Sequence, residues 1–311
     1  MKPILYALAL AAICSACEVT AQNYTVTMPQ VCSPAVPKSM KFAGQTYDFD
    51  RTDMYERMDR ELAGISYTHG QTMLQLKRAN RYFPQIIPIL KKNGMPEDII
   101  YLACTESSLN PIARSPAKAA GIWQFMPATA QEYGLEVNDY VDERYDIEKE
   151  TAAACRMLKS LYNKYGNWES AFAAYNGGPG RITRELNSQN VETAMDLQLV
   201  EETSRYMFRI LAMKLIMENP RAYGFNLHPD QFYTPMEYDI EEVKSPVSSW
   251  PDWAKKRGIT YQQLREANPW IRDKSLPNKS GKTYRVRIPK KDSLYRSTAD
   301  HTIYNPAWIG K

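Results

Sequence analysis

Cysteine and histidine are scarce in this chain, at five and three of 311 residues. His69, His228 and His301 stand far apart, and no HExxH segment or mature CxxC pair occurs. A metal centre therefore has no basis in the pattern, and neither a metal nor a cofactor is expected. An excess of one charge is also missing: 39 basic against 35 acidic residues leave a formal +4. That gives weak attraction to an anionic polymer and is no nucleic-acid signature. No internal repeat is visible, and after the first twenty residues no apolar run is long enough to span a membrane. What is present, 44% hydrophobic and 24% charged residues, belongs to an ordinary globular protein. The length suits one large domain plus a small one, and a monomer is expected.

The N-terminus reads as an export signal. Lys2 precedes the apolar run ILYALALAAI and then small residues, which predicts a signal peptide over 1–21 with cleavage before Gln22. The alternative is a lipoprotein site at Cys17, after Ser15 and Ala16, giving an outer-membrane lipid anchor; Cys14 stands where such boxes usually carry Leu. Residues 22–45 contain prolines and scattered Ser and Thr, and read as a tether. The protein is thus expected to be exported, to the periplasm or in association with the outer membrane. Of the remaining cysteines, Cys104 and Cys155 read as buried core thiols, with a disulfide between them as the alternative.

From 46 to 223 the pattern is helical, and strand signals are nearly absent. Asp50 or Thr52 can cap a helix carrying Met54, Met58, Leu62 and Ile65 on one face. A second helix is expected over 69–82, ending at Pro84, and a third carries Ile86, Ile87, Ile89 and Leu90. Asp146 and Asn167 can cap two more, the latter stopped by Asn176-Gly-Gly-Pro-Gly180. Residues 199–217 read as a long apolar helix. After Tyr223 the style changes: a linker at 224–237, then a β-α-α-β module over 238–290, then a tail at 291–311. The fold class is mainly α, with a small β-containing module at the C-terminal end.

Within the helical part, one carboxylate lies where an apolar residue is expected. Ile99, Leu102 and Ala103 set a three-four spacing that continues onto Glu106. No Lys or Arg lies within one turn before it, and the nearest after it is Arg114. A carboxylate on such a stripe is either paired with a cation or driven up in pKa by desolvation. A Glu hydrogen-bonded to backbone at a fraying helix end is the other reading, and spacing does not separate them.

The stretches ESSLNPIARSPAKAAGIWQFMPATAQEYGL, VDERYDIEKETAAACRMLKSLY and GNWESAFAAYNGGPGRI follow in that order from Glu106. Together they resemble the catalytic domain of the lytic transglycosylases, a lysozyme-like family that cleaves bacterial cell-wall glycan strands. The resemblance covers about residues 96–185, and the upstream helices look like those of the membrane-bound D type. It implies a lysozyme-like all-helical domain acting on peptidoglycan glycan strands, with Glu106 as the single general acid and base. The muramic 6-hydroxyl, not water, would attack the anomeric carbon, leaving a 1,6-anhydro end. By the same resemblance Tyr175 would point its hydroxyl at Glu106, and Asn176 would hold substrate or the adjacent turn. Gln124 and Met126 would line the groove, with Ser115 on the loop before them and Ser107 steadying the acid or ending its helix. Gly177 replaces the commoner Ala or Ser after Ala-Tyr-Asn, which is expected to loosen that turn. The C-terminal module resembles a degenerate LysM domain without its Gly-Asp-Thr start, so glycan binding stands beside a purely structural role.

Two other functions fit the same residues. One is a goose-type-lysozyme-like hydrolase using water, with Asp142, Glu143 or Asp146 as second carboxylate. The other is a non-catalytic wall-binding protein.

Overall fold

The computed structural model describes residues 32–309; the expected signal peptide, Cys17 and most of the expected tether lie outside that range. The tether reading gives way at Ser39. Strands β1 (Ser39–Phe42) and β2 (Gln45–Asp48) form an antiparallel hairpin with Ser39 opposite Asp48. Its two turn residues, Ala43 and Gly44, both have positive φ, the geometry that matches strand twist in a two-residue hairpin. Phe42 anchors the hairpin in the core, edge-on to Phe172 at 5.8 Å.

Helices α1 (Thr52–Tyr67) and α2 (His69–Lys92) follow. The break expected at Pro84 does not occur: α2 runs through Pro84 and Pro88. Both prolines are exposed and lie one turn apart on the solvent face. There each proline's ring and missing N–H group lie on the water side, and the helix continues past them. A 3₁₀ turn at Glu97–Ile99 leads into the short α3 (Ile100–Ser107), then α4 (Pro127–Glu132). Asp146 caps α5 (Ile147–Tyr165) through the N–H groups of Glu148 and Lys149, at 3.1 and 3.2 Å. Asn167 caps α6 (Trp168–Gly177) through Ser170 N–H at 2.9 Å. Helix α7 (Pro179–Gln189) starts directly after Gly178, and α8 (Glu201–Glu218) closes the bundle against α1, α3 and α6. Cys104 and Cys155 are unbridged, and burial pushes their thiols up to about 12 and about 11. No helix of the described residues is long and apolar enough to cross a membrane.

The C-terminal module has the expected order. Strands β3 (Tyr238–Val243) and β4 (Tyr284–Pro289) pair antiparallel, Tyr238 opposite Pro289, around α9 (Trp250–Lys255) and α10 (Tyr261–Ala267). Neither the linker nor the tail is a loose connector. Phe225, Leu227 and Phe232 are buried in the main core, and so is Trp308, whose indole N–H donates to Met217 O at 2.6 Å. The sequence reads as a linker and a tail here, and a few large apolar residues hold both down. The fold is mainly α with a small β-containing module.

Candidate active site

Three elements converge on Glu106. Helix α3 is short because Ser108 and Leu109 both take the left-handed conformation, at φ 51° and 55°. That turns the chain away and leaves Glu106 in the last turn, half-buried rather than sealed in. Helix α8 supplies Tyr206, whose hydroxyl donates to Glu106 Oε1. Among the described residues no cation pairs with the carboxyl. Burial, helped by the exposed Glu202 one turn before Tyr206, raises its pKa to about 7, while the Tyr206 hydrogen bond pulls the other way. The lone-carboxylate reading with a raised pKa is therefore the one this geometry supports.

The third element is the turn at 120–125. Ala120 and Phe125 bond each other in both directions at 3.0 Å, closing it. Gly121, at φ 85°, has no room for a side chain: a Cβ there would collide with the Arg144 carbonyl and with Glu150 Oε2. Gln124 is also left-handed, at φ 51°, and its Nε2 donates to Gly121 O at 2.7 Å. Trp123 is buried, with its indole N–H on Thr151 Oγ1 at 2.9 Å.

Tyr175 does not do what its motif implied. Its hydroxyl donates to Trp123 O at 2.6 Å, tying α6 to the turn, while its phenol stays within the field of the Glu106 carboxylate. The hydroxyl on Glu106 comes from Tyr206 instead. Asn176 Oδ1 accepts from Thr203 Oγ1 at 2.9 Å, which fixes it to α8. Gly177 does not loosen this region; a Cβ there would press on Thr203 at 3.3 Å, so the bare glycine lets α6 sit close. Ser107 bonds back to Ala103 O at 3.2 Å and belongs to its own helix end. Ser115 closes its loop by accepting Ala119 N–H at 3.0 Å. Met126, 44% exposed, stands at the N-terminal end of α4. Glu106, Gln124, Tyr175 and Asn176 thus belong to one connected neighbourhood, while no hydrogen bond brings Ser107, Ser115 or Met126 to the carboxyl.

Tyr206, Glu202 and Glu150 were not singled out from sequence. Helix α8 is buried on most of its faces, so its periodicity could not mark the one that meets α3. The available signal was a Glu four residues before a Tyr, in the polar opening turn of a helix that then turns apolar.

Residues 83–196 match the Transglycosylase SLT domain family, and residues 240–292 match the Soluble lytic transglycosylase C-terminal LysM-like domain. The chain is 32% identical over 255 residues to the membrane-bound lytic murein transglycosylase D of Escherichia coli (strain K12), covering 80% of this chain and 54% of that protein. It is 32% identical over 133 residues to the membrane-bound lytic murein transglycosylase C of Klebsiella pneumoniae (strain 342), covering 38% and 37%. Likeness to the solved 70 kDa soluble lytic transglycosylase of Escherichia coli covers 44% of this chain and 24% of that one, at 24% identity and a TM-score of 0.39. The chain spans about half the length of the transglycosylase D that it matches.

Proposed function

We propose that this chain, whose residues 83–196 match the Transglycosylase SLT domain family, is a lytic transglycosylase that cleaves the β-1,4 bond between N-acetylmuramic acid and N-acetylglucosamine in peptidoglycan, leaving 1,6-anhydromuramic ends. The observation that carries this is the Glu106 carboxyl, held by the Tyr206 hydroxyl and raised to about 7 by burial, with no cation beside it among the described residues. A general acid works best with a pKa near the working pH, because it must hold its proton and still give it up. Protonated Glu106 gives its proton to the glycosidic oxygen as the bond breaks. The carboxylate left behind then takes the proton of the muramic 6-hydroxyl as that oxygen bonds to the anomeric carbon. Acid and base are one residue, and no water enters the product.

The hydrolase alternative finds less support. Asp142 is bound to Arg144 through Nε and Nη2 at 2.9 and 2.7 Å. Glu143 pairs with Lys149 and accepts Glu136 N–H at 2.8 Å, and Asp146 caps α5. All three candidates for a second carboxylate are occupied in holding backbone. The reading places the enzyme outside the cytoplasm, in keeping with the leader expected at 1–21, and gives it peptidoglycan strands as substrate.

Mass spectrometry of soluble products from purified sacculi tests this. Products one water lighter than hydrolytic fragments are expected, and Glu106→Gln should abolish them. Reducing-end products of the hydrated mass would move the function to hydrolysis, and no products from the wild-type chain would leave a binding role.

A further inference from the structure

Glu150, in the first turn of α5, is buried completely, at 0% exposure. Its Oε2 accepts the Trp123 backbone N–H at 3.2 Å, and the Ile122 N–H faces it as well. Oε1 has no hydrogen-bond partner among the described residues. No cation among the described residues pairs with it: the guanidinium of Arg144 is taken up by Asp142, by Lys118 O at 2.8 Å and by Phe125 O at 3.0 Å. The other charged or titratable groups facing it are the carboxylates of Asp142 and Asp146 and the phenol of Tyr175. Burial among them holds the carboxyl well above the usual carboxylate range.

Burying a carboxyl is expensive unless its hydrogen bonds are used, and a small apolar residue would fill this helix position without that cost. What Glu150 does there is grip the turn that carries Gln124. With Thr151, which takes the Trp123 indole N–H, it holds Trp123 at two points from one helix turn. Trp123 O faces the other way and receives the Tyr175 hydroxyl beside Glu106.

We infer that Glu150 is a positioning residue for the chemistry at Glu106: it fixes the 121–125 turn so that Trp123 O captures Tyr175 and Gln124 meets the sugar. This rests on the transglycosylase reading above. Glu150→Gln keeps an acceptor for the two N–H groups; Glu150→Met keeps the length and removes the acceptor. Activity on sacculi should stay within about threefold of wild type for the glutamine variant. For the methionine variant kcat should fall at least about tenfold while KM changes less than about threefold, because the loss is in placing the reacting groups. A methionine variant with wild-type kcat, or a glutamine variant damaged equally, overturns the inference. A readout independent of activity is amide hydrogen exchange at Ile122 and Trp123, compared between wild type and Glu150→Asp, whose shorter side chain withdraws the acceptor. Exchange about tenfold faster in the aspartate variant is expected, and unchanged exchange overturns the role. Because that readout needs no turnover, it decides the matter even if the methionine variant fails to fold. A wild-type chain that yields no product would overturn the catalytic reading alone.

Discussion

On the proposed reading Glu106 acts first as an acid and then as a base, and two neighbours set the balance. Burial favours its protonated form, and the Tyr206 hydroxyl favours its carboxylate. With the carboxyl at about 7, kcat/KM on sacculi should fall as pH rises through neutrality. Tyr206→Phe removes the group that stabilises the carboxylate. The descending limb should then move to higher pH while kcat drops roughly tenfold, because the base step loses its support. A pH–rate profile with an unmoved limb would dissociate Tyr206 from the acid. Stability gives an independent check. The folded-state pKa lies above the unfolded value, so the protonated form stabilises the fold below about 4.5, and that contribution is lost as pH rises through about 7. Glu106→Gln removes the ionising group. It should be close to neutral for stability at pH 4 and stabilising by about 2 kcal/mol at pH 8, a figure reduced for the partial exposure of the carboxyl. Urea denaturation at the two pH values reads the difference; equal effects at both would mean that the carboxyl is not strained by burial.

Local elements were legible where a local rule decides them and illegible where a neighbour does. Asp146 and Asn167 were readable as caps because capping needs only a side chain and two or three N–H groups in its own helix. Pro84 was misread because the rule that proline ends helices takes no account of where the ring points. Tyr175 was found by motif and misassigned in contact, since its hydroxyl partner is fixed by a turn fifty-two residues away. The turn at 120–125 is the element on which most of the site hangs, and Gly121 is its weakest point to substitution. Gly121→Ala would place a β-carbon against the Arg144 carbonyl and Glu150 Oε2 at a φ of 85°. Strain and overpacking together should cost about 3–5 kcal/mol. Chemical denaturation checks this, and a loss under about 1 kcal/mol would mean that the turn relaxes freely.

At the scale of the whole molecule, the C-terminal module and the helical part share a core. Ala120, Val141 and Tyr145 pack with Trp250, Trp270, Ile271 and Val286 of the module. Asp142 N–H donates to Trp270 O and Arg272 N–H to Tyr140 O, both at 2.9 Å. Lys282 and Tyr284 reach Glu136 at 2.9 and 3.1 Å. Ala120 begins the turn that carries Gln124, and Arg144 ties the adjoining segment to Phe125 O. The module therefore braces the site from outside, which no motif in its own sequence could reveal. On this arrangement a module too small to bury a core alone should melt with the helical part. Calorimetry of residues 32–311 should show a single transition. Trp308→Ala, acting on the helical core where the indole stacks on Phe232 at 5.8 Å, should lower that whole transition. Removing a buried tryptophan costs about 3–5 kcal/mol, which at this chain size is a fall of roughly 6–15 °C. Two resolved transitions, with only one of them moved by Trp308→Ala, would show that the module folds apart from the site it touches.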